Sequence, residues 1–204
     1  MSSIEYTVTV QDLTDGHKRT TWLLDGELHR EDGPAFTCSN GNEAWYRNGK
    51  LHRGDGPACI GYDGTKKWYQ NGELHRENGP AIIYFTGDEE WWVNGKLHQK
   101  DNPAIIRSDG TEEWWVDGKR HREDGPAIIR SDGTEEWLVD GKRHRENGPA
   151  IIWSNGYKEW YLDGNSYTEA DFHKEIARRR NPIQELTVAE ISKRLGYEVK
   201  IVKE

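Results

Sequence analysis

Large apolar side chains recur along this chain at a fixed interval of 23 residues: Trp22, Trp45, Trp68, Trp91, Trp114, Trp137 and Trp160. A constant period in this range marks one supersecondary unit stacked on copies of itself, not a globule built around one pocket. Residues 112–133, EEWWVDGKRHREDGPAIIRSDG, show how the unit divides. Glu112–Val116 is aromatic and β-branched enough to predict a strand. Asp117-Gly118 predicts a tight turn, because Gly accepts positive φ and Asp caps its own backbone. Ala127–Arg130 predicts a second short strand, and Asp132-Gly133 a second turn. Between them HREDGP forms a compact loop, whose Pro126 lacks an N–H and must start a strand or lie at an edge.

Alternation assigns the faces. Trp114 and Val116 share one side of their strand, Glu113 and Trp115 the other. The position after each repeat tryptophan (Leu23, Tyr46, Tyr69, Trp92, Trp115, Leu138, Tyr161) is also always large, so both sides are expected to be covered. The recurring alanine (Ala35, Ala58, Ala81, Ala104, Ala127, Ala150) reads as the spacer under the indole, and the seven tryptophans as a buried spine. Two strands per repeat at about 4.8 Å each extend the array by roughly 10 Å per repeat, giving a rod roughly 60–70 Å long. The DG and NG dipeptides favour hairpins over a coiled solenoid.

The ends differ from the middle, as arrays require. Residues 4–10, IEYTVTV, alternate strictly and predict an N-terminal capping strand. After Trp160 the motif decays. Thr168 reads as the N-cap of a helix running to about Arg179, with Arg178-Arg179-Arg180 complementing its dipole. Thr187-Val-Ala-Glu190 is a capping box opening a helix closed by Gly196, with YEVKIV as a final strand. The expected organisation is a capping segment over 1–21, six to seven hairpin repeats over 22–164, and a helix-helix-strand cap over 165–204. The fold class is an all-β repeat array with a small C-terminal α/β cap.

Composition sharpens this picture only in places. Hydrophobic residues make up 33% of the chain and mean hydropathy is −1.01, yet ten Trp and nine Tyr at fixed positions exclude disorder. A net charge of −8 argues against whole-molecule attraction to nucleic acid or anionic membrane. No run of 18 apolar residues and no signal-like N-terminus is visible. Cys38 and Cys59 have no metal-binding spacing and read as free, core-facing thiols of a cytoplasmic protein.

The stretch WVDGKRHREDGPAIIRSDG resembles the MORN repeat, a 23-residue unit with a W-x-N-G-K-x-H-G-x-G core. WYRNGKL (45–51), WYQNGEL (68–74) and WWVNGKL (91–97) look closer to the divergent MORN-like repeats of YwqK-type bacterial antitoxins. The HRxDGPA variant and the tail LTVAEISKRLGYEVKIVKE are similar to proteins of large bacteriophages and giant viruses. The resemblance implies β-hairpin repeats over about residues 20–164 and a protein partner of the toxin or host-defence class, met in the host cytoplasm. GPA replaces the MORN G-x-G here, so lipid-head-group contacts of that segment do not carry over.

Several rows could carry chemistry. His29, His52, His75, His98, His121 and His144 lie seven residues after a Trp. At about 10 Å per repeat no two could share a zinc, whose bonds are about 2.0–2.1 Å. Bonding to a neighbouring repeat's backbone, or to the Asp/Asn three residues on, is the plainer expectation. Beside them run Arg30, Arg53, Arg76, Gln99, Arg122 and Arg145. Their guanidinium groups either clamp anions or pair internally with Glu31, Glu77, Glu123 and Glu146, or with Glu89/Glu90, Glu112/Glu113 and Glu135/Glu136. Repeat four, HQKDNP (98–103), loses both the Arg and the loop Gly, so Asn102 is expected to take a left-handed turn position.

No catalytic motif is present, and residues 107–129 and 130–152 are near-duplicates, which leaves no unique catalytic constellation; neither enzyme activity nor a cofactor nor a metal is expected. TVAEISKRLG resembles the start of a helix-turn-helix, but a strand follows where a recognition helix is needed, so nucleic acid is not the expected partner. Three functions remain: a binding protein that neutralises a toxin or host-defence protein, sequestration of a small anionic ligand such as a signalling nucleotide by the His/Arg rows, and a self-associating structural spacer. Candidate partner-binding residues are Tyr69, Trp92, Trp115, Gln99, Lys100, Asn102, Glu112, Glu113, Arg122 and Arg145, with the seven tryptophans structural.

Overall fold

Trp114 sits between two strands, not inside one: Glu112–Glu113 ends before it and Trp115–Val116 begins after it. This computed structural model describes residues 5–181, 187–196 and 198–200. The strand expected over 112–116 is split because the Trp114 backbone is held elsewhere. Its N–H donates to the Ala127 carbonyl at 2.8 Å, and its carbonyl accepts from the His121 N–H at 3.0 Å. Trp22, Trp45, Trp68, Trp91 and Trp137 make the same two bonds. Only in the end strands, Lys18–Leu24 and Lys158–Leu162, does the chain run on through its tryptophan.

Each break sends the chain from one layer into another. Residues before the tryptophan and after the alanine join an antiparallel meander of fifteen strands that starts at Thr7–Asp12 and ends at Asn165–Tyr167, with Glu27–Leu28 paired to Lys18–Leu24 off its path. Its middle consists of two-residue strands in strict alternation, such as Ile105–Ile106, Glu112–Glu113 and Ile128–Ile129. Residues after the tryptophan form separate two-stranded hairpins, such as Trp115–Val116 with Lys119–Arg120. The architecture is therefore a β-hairpin array and not a coiled solenoid.

The hairpins turn at Asp25, Asn48, Asn71, Asn94, Asp117, Asp140 and Asp163. These are the only non-glycine residues with positive φ among the described residues, all between 49° and 54°. The glycine after each is also left-handed (Gly118, φ 79), which is the geometry of a two-residue hairpin turn. Hairpins are stacked by their own backbone. The Gly118 N–H donates to Leu97 O at 2.9 Å, and the Gln99 N–H to Trp115 O at 3.0 Å, with equivalents at each step.

The core lies between the layers. Ala35, Ala58, Ala81, Ala104, Ala127 and Ala150 are wholly buried, with Ile82, Ile105, Ile128 and Ile151 beside them. The spine is less buried than its sequence suggests: only Trp114 is buried, and the other repeat tryptophans are half-exposed.

At the N-terminus the edge strand is Thr7–Asp12, shifted from the expected 4–10; residue 4 lies outside the described residues. At the other end the helix α1 (Glu169–Arg180) has Thr168 as N-cap, and it packs Phe172 and Ile176 on Leu162, Trp160 and Tyr167. The helix α2 (Val188–Leu195) has the expected capping box and closes at Gly196 (φ 76), but buries no residue. Covering of the last repeat therefore falls to α1. Glu198, Val199 and Lys200 are not in a strand, and the rest of the expected strand at 197–202 lies outside the described residues. No helix among the described residues is long and apolar enough to cross a membrane. Cys38 and Cys59 are free and half-buried, and burial pushes the Cys59 thiol up.

Since Ala127 has no free space and its carbonyl holds Trp114, Ala127→Leu should cost about 1–3 kcal/mol by overpacking. Urea denaturation of the variant checks this, and an unchanged midpoint would show that the spacer is not required.

Candidate functional site

The loops between hairpin and sheet carry most of the polar side chains singled out above. In each, the arginine folds back over the tryptophan of its own repeat. Guanidinium carbons lie 3.7–4.1 Å from the ring centroids in the pairs Arg30–Trp22, Arg53–Trp45, Arg76–Trp68, Arg122–Trp114 and Arg145–Trp137. This contact combines ring electrostatics with cover for the exposed indole face. Remaining N–H groups go to the loop itself. Arg122 Nε donates to Asp124 at 2.9 Å and its Nη1 to the Pro126 carbonyl at 3.3 Å. Arg30 and Arg53 repeat both contacts. Repeats three and six have Asn78 and Asn147 at the aspartate position, and there Arg76 and Arg145 keep the proline carbonyl.

Internal pairing of the arginine row is thus observed, but with a different partner from the glutamates expected. The aspartate two residues on is the right length to meet Nε while the ring holds the guanidinium plane. That hydrogen bond, then the charge of Arg30, Arg53 or Arg122, holds the carboxyls of Asp32, Asp55 and Asp124 below their usual value of 3.8. On Arg145 burial acts the other way and lowers its pKa.

On the other side of the guanidinium lies the loop glycine. A Cβ at Gly33, Gly56, Gly79, Gly125 or Gly148 would stand 2.8–3.2 Å from the arginine Cζ. The glycine is needed for close approach, not for a left-handed turn: of these five only Gly79 has positive φ. The expectation that Asn102 takes a left-handed position is overturned by the same fact, since its φ is not positive. Repeat four loses Arg and Gly together because each is required only by the other.

The histidines tie repeats to one another. The backbone N–H of Asn48 donates to His29 Nδ1 at 3.2 Å, and Asn48 Oδ1 lies 2.8 Å from the same nitrogen. Every later histidine repeats this with the Asn or Asp nineteen residues on, up to His144 with Asp163. The partner is thus the neighbouring repeat's turn and not the Asp/Asn three residues on. The glutamates expected to pair with arginine lie by the other ring nitrogen, as in His75 Nε2–Glu77 at 3.9 Å and His121 Nε2–Glu123 at 3.8 Å.

Glu113 and Trp115, expected as partner contacts, bond each other inside the array. Trp115 Nε1 donates to Glu113 at 3.1 Å, and Arg120 Nε to the same carboxylate at 2.9 Å. Trp92 donates likewise to Glu90 at 3.0 Å. Glu113 pairs across the sheet with the buried Ile105 and Ile128, so this glutamate row (Glu90, Glu113, Glu136, Glu159) lies on the inner face. Burial alone would push the Glu136 carboxyl up, but Arg130 and Arg143 outweigh it and hold it low. The row recurs every 23 residues in the C-terminal half only. Ala44 and Lys67 stand at its earlier positions, and its period was the available sequence signal. Tyr69, Trp92, Trp115 and Glu112 are half-buried, so none is a freely exposed anchor.

What the loops leave outside is acidic. Glu31, Asp32, Asp55, Glu77, Asp101, Glu123, Asp124 and Glu146 are exposed along one rim, with Lys100 as its cation in repeat four. Grooves lie between successive loops, of about 520 Å³ between Arg30 and Arg53 and about 660 Å³ between Arg122 and Arg145, the latter joined by Arg180 of α1. Among the described residues no three His, Cys, Asp or Glu side chains gather as a metal cluster.

No protein-family model matches the chain, and no curated protein matches it either. The MORN-like resemblance accordingly rests on its motif residues.

Two outcomes follow from the arginine sandwich. Gln99→Arg alone should stabilise little, because Asn102 occupies the approach; together with Asn102→Gly it should gain about 0.5–1 kcal/mol beyond the sum of the single changes. A thermal double-mutant cycle measures this, and simple additivity would disprove the coupling. The loop aspartates have folded-state pKa values below their unfolded ones, so their contribution is present above about pH 4 and is lost as pH falls through the folded values. Tm should hold from pH 7 to about 5 and fall below about 4, less steeply in the Asp32→Asn/Asp55→Asn/Asp124→Asn variant. Equal acid slopes in both proteins would count against the pairing.

Proposed function

We propose that this chain is a non-enzymatic binding protein that offers its loop rim to a basic surface on a protein partner. The observation that carries the reading is the arrangement of charge: six successive loops each expose a carboxylate, while the arginines behind five of them are seated on tryptophan rings. A ladder of acidic groups at roughly 10 Å steps suits an extended basic face, which it would attract and align. The net charge of −8 adds to the same attraction. The MORN-like resemblance makes the partner a toxin or host-defence protein, with this chain as its neutralising inhibitor.

Sequestration of a small anion is less favoured. Each arginine of the row is already seated on its tryptophan and bonded to a proline carbonyl, and each histidine Nδ1 already accepts from the next repeat's turn N–H. A spacer role by self-association has one observation behind it. The edge strand Thr7–Asp12 is wholly exposed, carries Val8 and Val10 outward and has neither Lys nor Pro to discourage pairing.

A partner captured from a bacterial lysate should be lost when Glu31, Glu77, Glu123 and Glu146 are all changed to Lys, and kept when the sheet-turn residues Ser108 and Ser131 are changed instead. Capture that survives the first change and fails with the second would place the interface on the opposite rim.

A further inference from the structure

Five repeats of this array hold a guanidinium group in the same seat, with a tryptophan ring below and the proline carbonyl at one side, and in three of them the loop aspartate closes the other side. Repeat four keeps the seat and changes the occupant. Trp91, Asp101 and Pro103 stand where Trp114, Asp124 and Pro126 stand in repeat five, but Gln99 replaces the arginine. The Gln99 side chain bonds to the adjacent backbone. Its Oε1 turns back to accept from the Lys100 N–H at 3.0 Å.

The backbone of the seat is undisturbed. Trp91 N–H still donates to Ala104 O at 2.8 Å, His98 N–H to Trp91 O at 3.0 Å, and Gln99 N–H to Trp115 O at 3.0 Å. Trp91 is partly exposed, and among the described residues no guanidinium or ammonium lies over its ring. Asp101 is exposed and its carboxylate has no hydrogen bond or ion pair among the described residues; the groove of about 470 Å³ that it borders lies on the side of repeat five, lined by Trp114 and Arg122.

We infer that repeat four is a binding site for a guanidinium group supplied from outside, in the form of an arginine side chain on the partner. This rests on the reading of the loop rim as the partner-facing surface, and it names the group that the rim recognises at one position. The recognition elements are those that the protein uses on its own arginines. The Trp91 face receives the cation, Asp101 accepts from one N–H edge and the Pro103 carbonyl from another. Asn102 is the one new element. Its Cβ stands where the loop glycine leaves room in other repeats, so an arginine tethered at position 99 would be crowded, whereas an untethered one can settle a few tenths of an ångström away. An ammonium group has no planar fork to match this arrangement, so arginine should be preferred to lysine.

The test follows the indole Nε1–H of Trp91 by NMR in the full chain, assigned with Trp91→Phe. The probes are N-acetyl-arginine amide, a blocked Gly-Arg-Gly peptide, and their lysine and citrulline counterparts. A saturable shift at Trp91 with both arginine probes, on the order of millimolar for the free amide, is expected. Citrulline should give none and lysine should bind at least severalfold more weakly. Asp101→Asn should weaken arginine binding severalfold, and the Gln99→Arg/Asn102→Gly variant, which fills the seat from within, should abolish it. Tighter binding of the peptide assigns the seat to a protein-borne arginine; equal affinity of the free amide assigns it to a small guanidinium compound. No shift at Trp91, or an equal shift with citrulline or in the filled variant, overturns the site. That failure is distinguishable from failure of the broader reading, because partner capture through the other loop carboxylates would be unaffected.

Discussion

The peptide group of each repeat tryptophan is the joint on which this structure turns. From Trp22 to Trp137 its N–H is fixed to the alanine carbonyl thirteen residues on, and its carbonyl to the histidine N–H seven residues on, whereas Trp160 pairs with Tyr167. Both bonds lie within one repeat, so they close the unit before it meets its neighbours. In the middle repeats the chain leaves the sheet at the tryptophan and enters the hairpin layer, since neither backbone group remains for the strand ladder. Alanine is required because the joint leaves no volume for anything larger, and the histidine follows at a fixed distance because its N–H completes the joint. The period of 23 residues is the length of chain needed to make that joint and return to it.

Once the joint is fixed, stacking follows by backbone geometry. Hairpin turns with Asn or Asp at φ near 50° present an N–H to the preceding histidine and a glycine N–H to the preceding strand. Main-sheet turns are also linked laterally, as where the Ser131 N–H donates to Thr111 Oγ1 and that of Ser154 to Thr134 Oγ1. Side chains then fill the space that remains. Arginine covers the indole from the loop side, and in the last repeat Phe172 and His173 of α1 meet Trp160 instead, at 4.8 and 5.4 Å between centroids. Tyr6 closes on Trp22 at the first, 5.7 Å away and edge-on. The ends are thus capped by aromatic residues from outside the repeat, which cover part of the indole at either terminus.

This construction explains why chemistry-bearing residues can be so numerous and yet so engaged. Arginine, histidine, aspartate and glutamate recur because each stabilises a particular joint, turn or buried face, and each finds its partner within about one repeat. The carboxylates left over lie on the outer rim, and repeat four is the place where one internal occupant has been withdrawn while its seat is retained.

Much of this was legible in the residues alone. The tryptophan period, the DG and NG turns, the buried alanines and both helix caps follow from local rules: conformational preference at φ above zero, side-chain size and capping hydrogen bonds. Three things were not. The strand expected over 112–116 is split at Trp114, because a bond to Ala127 outcompetes the ladder, and alternation in sequence carries no trace of that. The loop glycines looked like turn residues, yet they make room for a guanidinium folded back from three positions earlier. Glu113 looked like half of a surface acidic pair, yet it faces inward because its cross-strand neighbours are Ile105 and Ile128. The sequence by itself determined the unit, its length and its turns, since those depend on residues close together in the chain. Only the tertiary structure decided which polar groups are consumed internally and which remain free, since that depends on contacts made across the two layers.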